Sequence, residues 1–316
     1  MKILKLIVSI LLSVALGLVF IYSGYSKLFP IETFEFTFVD IGIANWYTAP
    51  VIARILISLE FFIGVLLIAN YNLRKFTLPF TIGLLLFFIL YLSVQIAIGG
   101  NNGNCGCFGE SIRMTPLQGI LKNIAMITIG VLLYILSNGW KLKYNALFTN
   151  LLAITITCVP FIFNPIDYAY TSNNLDEKVG YPLELNLLFE PSDTSKVEIP
   201  SIELRKNKHV LSFLSLTCQH CRVAAKKIRL IKRNNPDLPF YFILNGDKSN
   251  YKEFIEDTKA TNIPSSFCLG KSFVQLSSAH LPRIYFIDNG MVIKKVDYYE
   301  LNQYIIENWI KTGNPN

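Results

Sequence analysis

Charge is what the first half of this chain lacks. Residues 1–164 hold 15 charged side chains, 10 basic and 5 acidic, against 36 in residues 165–316. The mean hydropathy of the whole chain is +0.41, and the apolar excess lies ahead of residue 165, which excludes an ordinary water-soluble fold for that half. A membrane part and a polar part follow. A cleavage site is also missing. Lys2 and Lys5 precede the first apolar run as in a signal peptide, but the run ends in Ser23-Gly24-Tyr25-Ser26-Lys27 without a small-x-small pattern, so it is expected to remain as a helix. No second cysteine pair at zinc spacing accompanies the six cysteines, so no metal site is expected. The net charge of +7 needs no nucleic acid to explain it.

A bilayer core takes about 20 apolar residues per spanning helix. Five segments are long enough, at 4–26, 51–70, 76–98, 118–137 and 146–164. Lys2, Lys5, Arg74, Lys75, Lys141 and Lys143 flank one side of these spans, and only Lys27 and Arg113 the other. Basic residues stay with the cytoplasm. The expected orientation in a bacterial inner membrane is therefore N-terminus inside, with the loop after the third span and all that follows residue 164 outside. We expect a transmembrane domain over 1–164, a linker over 165–198 that adds a strand or two near Leu185, and an extracytoplasmic domain over 199–316.

Both cysteine pairs then share the outer compartment, where disulfides persist. One is Cys105-Gly106-Cys107 in the loop, the other Cys218-Gln219-His220-Cys221. Residues 210–216 form a continuous apolar run of strand length, and Cys218 opens a stretch in which Ala224, Ile228 and Ile231 recur at helical spacing. A second strand over 239–244 and a helix over 250–258 follow. Residues 283–287 and 291–296 flank Asn289-Gly290, the sequence of a tight hairpin turn, and a helix over 300–311 closes the pattern.

A strand leading into Cys-x-x-Cys at a helix N-terminus, then strand, helix and a hairpin preceded by Pro282, resembles the thioredoxin-like fold over residues 199–312. The resemblance implies an exposed nucleophile at Cys218, a resolving thiol at Cys221 and a cis-proline at Pro282. Leu216-Thr217 replaces the family's usual Trp, and Leu281 stands where Thr or Val is usual, so substrate preference does not transfer. Independently of the family, a thiol at a helix N-terminus beside His220 is expected to favour its thiolate and to make the disulfide more oxidising. An ordinary buried disulfide or a zinc half-site is the competing reading.

Ser23-Gly24-x-x-Lys27-Leu28, Glu60 with Gly64, and Asn104-Cys105-Gly106-Cys107-Phe108-Gly109 resemble the DoxX superfamily and, more closely, its MauE branch. That branch comprises four-helix membrane proteins of methylamine dehydrogenase maturation that work beside a separate thioredoxin-like partner. Here that partner is expected to be fused, with the fifth helix as its tether. The architecture is thus an all-α membrane bundle followed by an α/β thioredoxin-like domain. Cys-Gly-Cys closes a small disulfide ring far from preferred geometry, and strain makes such a bond easier to reduce. Two free thiols are the competing reading.

Glu60, in the middle of a span, is costly unless paired or protonated. Gln95, Lys122 and Asn123 are its expected neighbours, in a pocket for protons or a quinone ring, or else in a structural hydrogen-bond network. Cys158 and Cys268 read as small core residues. The basic run Arg222, Lys226, Lys227, Arg229, Lys232 and Arg233 reads as a solvated face, or as a surface resting on anionic lipid. The leading function is a membrane thiol-disulfide oxidoreductase acting on exported proteins, with electrons exchanged between the two cysteine pairs. The alternative is a non-catalytic maturation or holding factor for one exported client.

Overall fold

The computed structural model describes residues 2–140, 145–166, 179–191, 196–278 and 280–313. The chain forms two compact units, Met1–Asp167 and Tyr168–Asn316.

In the first unit, α1 (Lys2–Leu28), α3 (Ala49–Ile68), α4 (Leu78–Gly99) and α5 (Pro116–Leu136) form the bundle. Among the described residues, four helical stretches here are long and apolar enough to cross a membrane. Prolines stand in the first turn of α3, α4 and α5, where the missing N–H has no partner to lose. Thr115 and Gln118 close a reciprocal capping box on α5. α1 and α3 meet through two glycines: a Cβ on Gly17 would lie 2.8 Å from the Gly64 carbonyl oxygen, and one on Gly64 3.0 Å from that of Gly17. Small residues at such a crossing let backbones approach closely.

Two helices complete this unit. α2 (Glu32–Ile41) was not anticipated, because its ten residues are too short to register as a span. Phe34, Phe36 and Phe38 are buried against the bundle, and Arg54 on α3 binds Glu35 at 2.7 Å. The fifth helix, α6 (Asn145–Phe163), is shorter than the four spans in its described apolar part, Thr149–Phe163. It is stitched to the bundle: Arg54 Nε donates to the Asn164 carbonyl at 2.7 Å, and Asn164 Nδ2 to that of Leu28 at 3.3 Å. Cys158 is exposed on α6, which corrects its reading as a core residue.

The second unit is a mixed five-stranded sheet in the order β3-β2-β1-β4-β5, with β1 (Lys208–Ser215), β2 (Phe240–Asn245), β3 (Ser265–Phe267), β4 (Arg283–Asp288) and β5 (Met291–Val296). The first three run parallel, and β4 and β5 antiparallel to their neighbours. β1 is the central strand and is buried on both faces, the reason its middle is mostly apolar on both, with Ser212 as the exception. α8 (Gln219–Asn234), α9 (Tyr251–Thr258), α10 (Lys271–Ser277) and α11 (Gln303–Thr312) complete the layers. Asn289 and Gly290 have φ of 49° and 79°, the left-handed pair expected of their turn.

The expected linker is in part structural. In place of strands near Leu185 there is a one-turn helix, α7 (Asn186–Phe189), with single bridges at Pro182 and Val197. Leu185, Leu188 and Val197 join Leu211, Phe213, Tyr241, Ile243, Tyr285 and Ile287 in one core. Three apolar side chains thus close a face of the sheet that the strands leave open. Residues 167–178 and 192–195 of that segment lie outside the described residues.

Candidate redox site

Cys218 is the N-cap of α8, in extended conformation, and its sulfur accepts the Cys221 N–H at 3.3 Å. One of the helix's unpaired donors thereby points at the thiol. Cys218 is partly exposed, whereas Cys221 is buried and accepts the Ser215 N–H at 3.3 Å. The Cys218 thiol is pulled down to about 6, first by the hydrogen bond from Cys221, with the Cys221 amide and the charge of His220 acting the same way against burial. Cys221 is pushed up, by that same hydrogen bond and by burial. The N-terminal sulfur is the nucleophile that such a pair would supply.

His220 is exposed, and its Nδ1 lies 3.2 Å from the Tyr298 hydroxyl. Lys227 secures the Tyr298 segment by donating to the carbonyls of Tyr298 and Tyr299 at 2.7 and 3.0 Å. The Leu281-Pro282 bond is cis. The basic face of α8 departs from the solvated reading. Arg222 is buried and bonds Asp257 and Glu253, each at 3.3 Å, Lys226 reaches Asp257 at 3.0 Å, and Lys232 donates to the Leu238 carbonyl at 2.6 Å. Much of that charge therefore ties α8 to α9 and to the loop before β2.

In the membrane unit, Gly103, Gly106 and Gly109 all have positive φ, as the sharp loop requires. Asn104 braces the loop from within: its Nδ2 donates to the Gly109 carbonyl at 2.7 Å and its Oδ1 accepts the Gly106 N–H at 3.2 Å. Cys105 and Cys107 are buried, at 2% and 9% exposure. Their sulfurs rest on α5 at Gly119, where a Cβ would lie 3.3 and 3.0 Å from them. The Cys107 thiol is drawn down to about 7, first by the hydrogen bond from Cys105 and then by the Lys122 and Lys27 cations, against burial; Cys105 is pushed up by that hydrogen bond and by burial.

Glu60 has different immediate neighbours from those expected. Lys27 Nζ lies 2.6 and 2.8 Å from its two carboxylate oxygens and 2.7 Å from Ser23 Oγ, and that hydroxyl lies 2.9 Å from the Cys107 carbonyl as a donor. A continuous polar chain thus joins a buried carboxylate to the backbone of a loop cysteine. Lys27 is 2% exposed, so the charge placed at a helix edge by sequence belongs to the interior. The signal was available: Ser23 and Lys27 stand one helical turn apart, both in the motif already singled out. Lys122 and Asn123 do lie nearby. With Lys27, Glu60, Cys105 and Cys107 they line a small cavity of about 10 Å³, room for about one water molecule, walled by Phe34, Phe88, Tyr91 and Leu92. Asn123 is 1% exposed, and neither of its amide atoms has a hydrogen-bond partner among the described residues. Gln95 is buried on α4 but is not among the lining residues.

Residues 5–136 match the family described as methylamine utilisation protein MauE. Protein TlpB of Flavobacterium psychrophilum is 31% identical, over 78% of this chain and 79% of its own. The chain belongs to the TlpB family. In this TlpB relative a MauE-like membrane bundle is fused to a thioredoxin-like domain. Two solved structures are similar to part of it. One is the thioredoxin domain of a thiol-disulfide oxidoreductase from Bacteroides vulgatus, at 15% identity, 34% of this chain, 81% of the other and a TM-score of 0.30. The other is a secreted Mycobacterium tuberculosis disulfide oxidoreductase homologous to E. coli DsbE, at 17%, 29%, 69% and 0.25. The sheet order and the Cys218 geometry stand without them. This TlpB-family chain is a multi-pass membrane protein.

Proposed function

We propose that the chain passes electrons between Cys218-Cys221 and Cys105-Cys107, and that Cys218 exchanges disulfides with exported proteins outside a bacterial inner membrane. The observation that carries this reading is the shared build of the two pairs. Each has one more accessible sulfur beside a more deeply buried partner, Cys218 against Cys221 and Cys107 against Cys105, which is the division between an attacking and a resolving sulfur, and the directions of the thiol pKa shifts agree with it. A structural staple needs no such asymmetry. The orientation rests on the basic bias of the sequence, to which the structure adds that Lys27 is neutralised by Glu60 and Arg113 lies 3.7 Å from Glu110.

Cys218 and Cys221 are proposed as catalytic residues, with His220 and Pro282 beside them. Glu60 and Lys122 are proposed as the polar end of the cavity, and Gln95, buried on α4 outside its lining, as part of the same polar region. The donor chemistry there suits a quinone as the terminal acceptor, with Lys122 and the Asn123 amide as donors for a carbonyl oxygen, but the cavity holds about one water, so the Phe34 and Phe88 rings would have to move aside to admit it. A quinone accepts two electrons and two protons, the amount that oxidation of one dithiol releases. The test is covalent trapping. Cys221→Ser removes the resolving sulfur, so acid-quenched protein should yield a peptide joining Cys218 to a loop cysteine, lost when Cys105 and Cys107 are also replaced. Cys218 found only on other proteins would end the internal relay.

A further inference from the structure

We propose that Cys107 is the sulfur through which the membrane loop exchanges disulfides, and that Lys122 is the cation that holds its thiolate. This rests on the loop pair being redox-active and assigns roles within it. The argument is one of charge balance. Two ammonium groups, Lys27 and Lys122, and one carboxylate, Glu60, line the cavity beside the loop. Lys27 engages both oxygens of Glu60, so these two charges cancel. Lys122 has no carboxylate within ion-pair distance among the described residues, and its ammonium lies 4.5 Å from the centroid of the Phe108 ring. Of the other ionisable groups nearby, Glu110 on the loop lies beside Arg113 at 3.7 Å, and Tyr91 on α4 is a phenol. A cation against apolar walls is costly until an anion joins it. The anion that this cavity can supply is a loop thiolate.

Two features distinguish the loop sulfurs. Cys105 lies deeper than Cys107, at 2% against 9% exposure, so an incoming sulfur displaces less at Cys107. The Cys107 N–H at 3.4 Å would ease charge on Cys105 Sγ, but the Cys105 thiol is hydrogen-bonded to the Cys107 sulfur and more deeply buried, and these two effects outweigh that contact. Cys105 is therefore placed as the proton-bearing partner. The exchange balances on these roles. The Cys218 thiolate attacks Cys107 of the loop disulfide; the Cys218–Cys107 bond forms and the Cys105–Cys107 bond breaks. The electron pair leaves on Cys105, which takes up the proton given up by Cys221. Cys221 then attacks Cys218 and releases Cys107 as a thiolate beside Lys122. Two electrons have moved from the domain pair to the loop pair, and the total charge is unchanged.

The test uses the full-length protein in lipid nanodiscs, reduced, freed of reductant and treated with iodoacetamide across about pH 5 to 10. Alkylation at each cysteine is read by peptide mass spectrometry. Cys107 should react with a midpoint at about 7 and well ahead of Cys105. Lys122→Met should raise that midpoint and slow Cys107 at neutral pH by about tenfold, Lys122→Arg should restore it, and the Cys218 profile in the same samples should not move. An unaltered Cys107 profile in Lys122→Met, or faster alkylation of Cys105, overturns the assignment. Should Lys122→Met fail to fold, the Cys221→Ser protein decides: a trapped peptide joining Cys218 to Cys107 supports the assignment, and one joining it to Cys105 overturns it. If no such peptide forms while Cys107 reactivity still follows Lys122, the assignment stands and the relay falls.

Discussion

Lys27 Nζ sits within 2.8 Å of both carboxylate oxygens of Glu60, and both side chains are buried in the membrane unit. Removing one partner leaves the other charge without compensation, at a typical cost of about 3–5 kcal/mol. Lys27→Met and Glu60→Gln should each lower the unfolding temperature of the full chain in nanodiscs. The double variant should recover most of the loss. Additive losses in that double-mutant cycle would mean that the two groups are not coupled.

Orientation is open to a direct experiment. In intact, reduced cells with a permeable outer barrier, a membrane-impermeant maleimide should modify Cys218 readily, because it is partly exposed. Cys105 and Cys107 should be modified slowly from the same side, because they are buried. Labelling of Cys218 only after the inner membrane is broken would invert the topology.

His220 adds to the other influences that lower the Cys218 pKa. Replacing it with Leu should raise the midpoint for Cys218 alkylation from about 6 and make the Cys218-Cys221 disulfide less oxidising. Tyr298→Phe removes the hydroxyl that His220 meets at 3.2 Å and should move both quantities in the same direction by less. Equilibration with glutathione redox buffers measures the potential. If neither variant shifts it, His220 has no part in the chemistry.

The same thiol sets a pH dependence. Its folded pKa of about 6 lies below the ordinary thiol value of 9.0, so ionisation of Cys218 stabilises the folded dithiol form. That contribution is complete above about 9 and is lost as pH falls through about 6. The stability of the reduced domain relative to the oxidised one should therefore decline between those limits as the solution is acidified. Denaturation of both forms across that range checks it; a reduced form that gains stability relative to the oxidised one on acidification would contradict the assignment of the thiolate to Cys218.

Most of the α/β domain was legible because its pieces carry local signals. The run ending before Cys218, the Asn289-Gly290 turn and the periodic Ala224, Ile228 and Ile231 each announce one element. β3 and α10 carry only three and seven residues, too few for periodicity to register. Leu185, Leu188 and Val197 sit in polar sequence and reveal themselves only when the sheet face they cover is formed. In the site, the cysteines were visible from spacing alone. The Lys27–Glu60 pair was not, because its partners are 33 positions apart and only the packing of α1 on α3 brings them together. Arg222 was hidden in the same way, its acidic partners lying on α9.

One close approach determines how the loop can change. A Cβ on Gly109 would lie 2.0 Å from the Ser26 carbonyl oxygen, so the loop lies with bare main chain against α1, one residue before Lys27. The depth of the two sulfurs is consequently a property of main chain and not of loop side chains. Polar or apolar replacements at neighbouring loop positions can alter its outer surface while the thiols keep their level. A single methyl group at Gly109 acts as a spacer beneath the whole segment and tilts it away from the helix.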